Sequence, residues 1–143
     1  MKVKLDTGAI MPTRAHATDA GLDLYSKEEK VIYPRLETIL PIGETFDTGV
    51  HIELPHGYYG KIESKSGLNV NHSVVSCGGV IDEGYTGSIK VKLYNLGTEP
   101  YTVHAGDEIA QLIIQPYAAP ELELVEHLDE TERGENGFGS TGR

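Results

Sequence analysis

Short apolar runs separated by turn formers, recurring about every ten residues, narrow the folds open to this chain more than any other feature of it. GLDLYS (21–26), VIYP (31–34), TILPIG (38–43) and GVHIELP (49–55) succeed one another in this way. In the first of them Leu22 and Leu24 fall on one side and Asp23 on the other. SIKVKLYNLG (88–97) alternates most clearly: Ile89, Val91 and Leu93 point one way, Lys90 and Lys92 the other, as in a strand with one wet face. EIAQLIIQPY (108–117) is denser and suits a strand covered on both faces. Helical periodicity is almost absent. The exception is SKSGLNVN (64–71), which reads as a short helix after a strand, with Ser64 as its cap. Together these patterns predict an all-β fold of short antiparallel strands, a sandwich or barrel, with one short helix. The 17 glycines fit its many tight turns.

A chain of 143 residues is one domain's worth, able to bury roughly two thirds of its unfolded surface. The expected division is a β domain over residues 1–130 and a C-terminal arm over 131–143, where the composition shifts to glycine, hydroxyls and two arginines. The single cysteine, Cys77, rules out an internal disulfide framework and fits a reducing compartment. MKVKLDTGAIMP has no apolar stretch of signal-peptide length before Asp6 and Pro12 interrupt it. No segment approaches the ~20 apolar residues of a membrane span. The expectation is a soluble, cytoplasmic protein. A formal net charge of -10 argues against nucleic acid or an anionic membrane as partner, since both demand a basic surface. A small phosphorylated ligand stays open, because a few local cations or a divalent metal can mask its charge.

The stretch GVIDEGYTGSIKV (79–91) carries the densest chemistry. In plain terms it is a β-hairpin whose turn holds Asp82. Yet Tyr85 follows three residues later, and Gly78, Gly79 and Gly87 leave main chain bare around it. Bare backbone can present N–H and C=O groups to the edge of a planar base. Uracil's edge runs acceptor, donor, acceptor; cytosine would set a donor against a backbone donor, a buried mismatch costing roughly 1–3 kcal/mol. SKSG (64–67) is either a capped turn with a surface lysine or a phosphate cradle, where free N–H groups favour an anion and Lys65 and Ser66 add a charge and a hydroxyl. Asp23 is either the polar alternate of a strand or an oxygen donor near hydrated Mg2+. Gln111, amid Ile109, Leu112 and Ile113, either faces solvent or reaches a phosphate.

GFGSTG (137–142) has the spacing G-x-G-x-x-G but neither a strand before it nor a helix after it, so it is not a dinucleotide fingerprint. Arg133, Phe138, Ser140 and Thr141 nonetheless offer a cation, a ring and two hydroxyls to a nucleotide under a closing arm. The six histidines show no H-E-x-x-H spacing, and no G-x-S-x-G elbow is present. Zinc and serine-hydrolase chemistry are therefore set aside.

In sequence order, DAGLDLYS, ESKSGLNV, GGVIDEGYTGSIKV, GDEIAQLI and RGENGFGSTGR resemble the five motifs of the trimeric deoxyuridine triphosphate pyrophosphatase (dUTPase) family, over residues ~15 to 143. The resemblance implies a jelly roll, a homotrimer with active sites at subunit boundaries, and Mg2+-assisted hydrolysis of dUTP to dUMP and pyrophosphate, which lowers dUTP and supplies dUMP for thymidylate synthesis. It implies that Asp82 activates the attacking water and that Tyr85 packs under the deoxyribose. Backbone from Gly79 to Lys90 would read uracil. Lys65, Ser66, Gly67 and Gln111 would bind phosphate, and Asp23 would touch metal-bound water. Arg133, Phe138, Gly139, Ser140 and Thr141 would come from the arm. Two positions depart from the pattern: Lys65 stands where the family usually has arginine, a point charge for a bidentate fork, and Asn136 stands for a glycine of the fifth motif. The alternatives are a dCTP deaminase of the same fold, a nucleotide-gated binding protein that switches a protein partner, and a plain β-sandwich module.

Overall fold

The computed structural model describes residues 1–34, 43–77 and 79–135. Within them the alternating pattern becomes eleven short strands and one helix. The strands are β1 (Lys2–Leu5), β2 (Gly21–Tyr25), β3 (Lys30–Ile32), β4 (Glu44–Asp47), β5 (Val50–Glu53), β6 (Tyr58–Glu63), β7 (Val74–Ser76), β8 (Val80–Ile81), β9 (Lys90–Asn95), β10 (Tyr101–Val103) and β11 (Glu108–Pro116); the helix, α1 (Ser66–His72), lies between β6 and β7. Every pairing is antiparallel. The larger sheets run β2-β11-β6-β8 and β4-β9-β7, and two ribbons, β1-β5 and β10-β3, complete the set. Neighbours in a sheet are distant in sequence, so the chain crosses repeatedly between layers. The result is the all-β jelly roll that the sequence predicts.

The core fills from the inward residues of both larger sheets. Leu24, Ile62, Ile109 and Leu112 come from one; Phe46, Val74, Val91 and Leu93 from the other; all are buried. Each such side chain contributes roughly 1.5–3 kcal/mol by leaving water. Strand β9 follows the expected alternation, with Val91 and Leu93 inward and Lys90 exposed. In β11 the adjacent Ile109 and Ala110 are both buried where the register against β2 shifts between Glu108 and Ala110; beyond it Leu112 is buried while Gln111 and Ile113 are half-buried, so the strand is not fully covered on both faces as its dense apolar run suggests.

Ser64 does not cap the helix: the cap position is Lys65, which makes no side-chain cap bond. The Ser64 hydroxyl instead accepts from the Ser76 amide at 2.9 Å and stitches the end of β6 to β7. The stretch 79–91 is not a simple hairpin either. Strand β8 pairs with β6, whereas β9 pairs with β4 and β7, so residues 82–89 cross from one sheet to the other. The strand expected within 38–43 falls largely on 35–42, outside the described residues.

Candidate active site

One cluster of polar groups gathers where β2, β11 and β6 run side by side. Antiparallel register sets Gln111 opposite Asp23 on one side and opposite Glu63 on the other, so the three share a face. Asp23 is only 8% exposed, a buried carboxylate that needs a partner. Lys65 supplies it: its ammonium lies 2.6 Å from Asp23 Oδ1 and 2.8 Å from Glu108 Oε2. Burial opposes the Lys65 charge more than any single contact favours it. The hydrogen bonds to Asp23 and Glu108 together outweigh burial and hold the lysine above its ordinary range. Gln111 turns its amide across the same face and donates to the Ser64 carbonyl at 3.1 Å. Glycine at position 21 makes this possible, since a Cβ there would sit 2.2 Å from Gln111 Oε1. Ser66 and Gly67 begin α1 and are exposed. Among the described residues a Cβ on Gly67 would meet nothing within 4 Å, so packing within the chain does not demand glycine there.

The second cluster is the 82–88 crossover. Its first turn closes by the Tyr85 amide donating to the Asp82 carbonyl at 3.0 Å. Tyr85 then folds back, its hydroxyl donating to the Ser88 carbonyl at 2.9 Å. The ring lies against Gly87, where a Cβ would come within 2.5 Å of the tyrosine oxygen. Three contacts pin this segment to the body. Ser88 Oγ donates to Asp47, and this bond, opposed by burial, holds the Asp47 carboxyl below its usual range. The Thr86 carbonyl accepts from His51 Nδ1 at 2.8 Å, while His51 Nε2 faces Asp6 Oδ1 at 3.1 Å. Glu83 receives bonds from His56, the Gly57 amide and Tyr117. Asp82 itself is exposed and lines a cavity of about 510 Å³ with Tyr59, Val80, Glu83, Gly84 and Tyr117. At the start of the segment Gly79 adopts φ +110°, and a Cβ there would lie 2.6 Å from Ile62 Cβ, so conformation and space both require glycine. Lys90, the first residue of β9, is exposed.

The structure thus brings together Asp23, Lys65 and Gln111, with Ser66 and Gly67 following Lys65 in the chain. It sets Asp82 and Tyr85 apart from them. Ile81 pairs with Gly60 near the start of β6, whereas Ser64 and Lys65 follow its end. At about 3.3 Å per residue the two clusters stand on the order of 15 Å apart along the ladder. Arg133 lies in the exposed stretch that follows β11. Phe138, Gly139, Ser140, Thr141 and Gly78 are outside the described residues. Glu108, Gly21, His51 and Glu83 escaped the sequence reading. Glu108 and Glu83 stand beside predicted site residues, but only tertiary contacts reveal their partners.

Mg2+ takes oxygen ligands and is commonly held by one or two carboxylates together with substrate phosphates. Among the described residues no group of three or more His, Cys, Asp or Glu is clustered to cage a metal. Asp23, with Glu108 beside it across Lys65, is a donor set of the kind that suits a metal carried in on a phosphate chain.

An all-β jelly roll with a buried carboxylate–lysine–amide face and a bare crossover bearing Asp82 and Tyr85 is the class of protein defined so far. Comparison with known proteins then places it: a dUTPase family model matches residues 7–142, and the chain belongs to that family. The Mus musculus deoxyuridine 5'-triphosphate nucleotidohydrolase is 44% identical over 141 residues, covering 99% of this chain and 83% of the mouse protein. The dUTPase of Staphylococcus bacteriophage 80alpha, solved with dUpNHpp, superposes with a TM-score of 0.86 at 34% identity, covering 99% of this chain and 98% of the phage chain. The dUTPase of S. aureus phage phi11, as a mutant described as revealing coordination of a structural Mg(II) ion, gives a TM-score of 0.79 at 29% identity, covering 90% of this chain and 98% of that one. Among the described residues no helix is long and apolar enough to cross a membrane.

Proposed function

We propose that this chain is a dUTP pyrophosphatase that cleaves dUTP to dUMP and pyrophosphate. The observation that carries the reading is the crossover with its bare backbone, its exposed Asp82 and a Tyr85 ring locked onto the Ser88 carbonyl. Family membership and the dUpNHpp bound by the phage 80alpha enzyme support the same substrate. Main chain from Gly79 to Lys90 reads the uracil edge. Tyr85 takes the space beneath the sugar that a 2'-hydroxyl would need, which excludes ribonucleotides.

In the reaction Asp82, as a carboxylate, accepts a proton from water while that water's oxygen attacks the α-phosphorus. The bond from the α-phosphorus to the bridging oxygen breaks on the opposite side, and its electron pair leaves with pyrophosphate. A positioned general base of this kind typically contributes ~10^2 to 10^4 in rate. Ser66, Gly67 and Gln111 bind phosphate oxygens and fix the line of attack. Lys65 pairs with and orients Asp23, its charge shared between two carboxylates. Mg2+, when bound, neutralises triphosphate charge, with Asp23 as its protein contact through water. Arg133, Phe138, Gly139, Ser140 and Thr141 belong to an arm, residues 131–143, that closes over the nucleotide.

The active unit is a homotrimer. A group that aims water at the α-phosphorus and groups that grip the phosphates must all lie within about 3 Å of one substrate. In a single chain they stand on the order of 15 Å apart along β6, and in the trimer one copy's phosphate-binding face completes the site at a neighbouring copy's crossover. The fully exposed Leu122 and Leu124, with Leu128 at 85%, support a third contribution, a segment that lies on a neighbouring copy. Pyrophosphate release from dUTP, measured on the assembled protein, tests the reading; ammonia release from dCTP would favour the deaminase, and tight dUTP binding without turnover the nucleotide-gated switch.

A further inference from the structure

Glu83 follows Asp82 directly, yet its carboxylate points away from the crossover and into three bonds on other elements. Oε1 lies 2.8 Å from His56 Nδ1. Oε2 accepts from the Gly57 amide at 2.8 Å and from the Tyr117 hydroxyl at 3.0 Å. Gly57 holds φ +80° in the turn between β5 and β6, and its carbonyl accepts the Tyr117 amide at 3.0 Å. One carboxylate therefore joins the crossover to a turn that is itself closed onto the end of β11. Tyr117 is further steadied by an edge-on contact with Tyr59, whose hydroxyl donates to Gln115 at 2.9 Å. This is a strong investment at a residue that ordinary turn chemistry leaves free in water.

We infer that Glu83 is a positioning residue for the reaction proposed above: its carboxylate latches the Asp82 turn to the Gly57 and Tyr117 corner and so aims Asp82. The inference rests on the assignment of Asp82 as the base. The crossover leaves the sheet at Ile81, which is buried and paired with Gly60, and among the described residues its other hydrogen-bonded ties to the body are near its far end, through Thr86 and Ser88. Without the latch the Asp82 turn pivots about those ties. A misplacement of about 1 Å at a reacting group costs up to roughly 100-fold in rate. Because Tyr85, Thr86 and Ser88 keep their own ties when Glu83 is removed, the loss falls mainly on the aim of Asp82, and so on turnover more than on substrate affinity. His56 is 96% exposed at its side chain, so its bond is the weakest of the three.

The experiment compares wild type, Glu83→Ala, Glu83→Gln, Tyr117→Phe and the Glu83→Ala/Tyr117→Phe double variant as assembled full-length proteins, recording kcat and KM for dUTP and the thermal midpoint. Glu83→Ala is expected to lower kcat roughly 10- to 100-fold with KM within about threefold. Glu83→Gln, which keeps an oxygen for the Gly57 amide, recovers most of that loss. Tyr117→Phe has a smaller effect, and the double variant is no slower than Glu83→Ala, because both act through one carboxylate. Wild-type kcat in Glu83→Ala overturns the inference. So does a loss that appears in KM alone, or additive effects in the double variant. Should Glu83→Ala fail to fold, the Glu83→Gln and Tyr117→Phe pair decides by the same split. A wild type inactive on dUTP would refute the assigned function instead, so the two failures are distinct.

Discussion

Replacing Gly21 with alanine separates the packing of this fold from its chemistry. Gly21 lies in β2 with φ outside the left-handed region, so its backbone accepts a Cβ without strain. That Cβ would meet Gln111 Oε1 at 2.2 Å, Cβ at 3.0 Å and Cδ at 3.0 Å. The nearest of these atoms is the far end of a flexible side chain, which swings aside and abandons the Ser64 carbonyl. The lost hydrogen bond removes about 0.5–1.5 kcal/mol. Alanine returns about 0.4–1 kcal/mol by restricting the unfolded chain. These two effects nearly cancel, and the 3.0 Å approach to Gln111 Cβ, which no rotamer change relieves, leaves a net loss of about 1–2 kcal/mol, a fall of about 2–8 °C in the melting midpoint for a domain near this size. On the role proposed for Gln111 activity falls as well, since its displaced amide loses the proposed phosphate contact: kcat/KM for dUTP is expected to fall at least about tenfold, or 1.4 kcal/mol of transition-state binding. Circular dichroism melting and a pyrophosphate-release assay read the two effects separately. Wild-type kcat/KM would refute the role given to Gln111, and a midpoint lowered by more than about 10 °C would show Gly21 to be a packing residue.

Asp82→Asn keeps the fold and binds dUTP by calorimetry, but turns over ~10^2 to 10^4 more slowly; near-normal kcat removes Asp82 from the role of base. Gly79→Ala meets both the φ of +110° and Ile62 Cβ at 2.6 Å, and loses about 2–5 kcal/mol in urea unfolding; an unchanged midpoint contradicts that geometry. Lys65→Met strands Asp23 and Glu108, at a cost of about 1–2 kcal/mol after allowance for the partial exposure of the cluster. Because the Lys65 pKa is raised on folding, its contribution is complete below its ordinary value of 10.5 and fades as pH climbs through the higher folded value. Unfolding curves for wild type and Lys65→Met should therefore differ at pH 8 and draw together progressively as pH rises beyond 10.5, and a gap that stays constant through that rise, or is absent at pH 8, contradicts the pairing.

Strands with one wet face were legible because their residues obey a single local rule. Val91 and Leu93 against Lys90 needed no tertiary information, and the dense run at 108–117 announced a central strand for the same reason. Motif order likewise exposed Asp23, Asp82, Tyr85 and Gln111 as candidates. What stayed hidden depends on partners far along the chain. The pairing of 79–91 looked like a hairpin because local alternation cannot say that β8 joins β6 while β9 joins β4. Ser64 satisfies every local criterion for a helix cap, yet Ser76 offers it a competing amide. The sequence offers Lys65 as a phosphate cation but gives no sign that it also bridges Asp23 and Glu108, 42 and 43 residues away on opposite sides. Glu83 looks like the polar half of a turn because Gly57 and Tyr117 arrive from elsewhere.

The account depends on main chain of the 79–90 segment reading uracil while Asp82 directs water to the α-phosphorus. The most direct measurement is pyrophosphate release by the wild-type protein from dUTP, dTTP, dCTP and UTP at matched concentrations, with Mg2+ present. The expected result is rapid cleavage of dUTP and rates lower by at least about a hundredfold, some 2.8 kcal/mol, for the other three. Comparable cleavage of dTTP or dCTP would contradict main-chain recognition of the base, and comparable cleavage of UTP would contradict the place given to Tyr85.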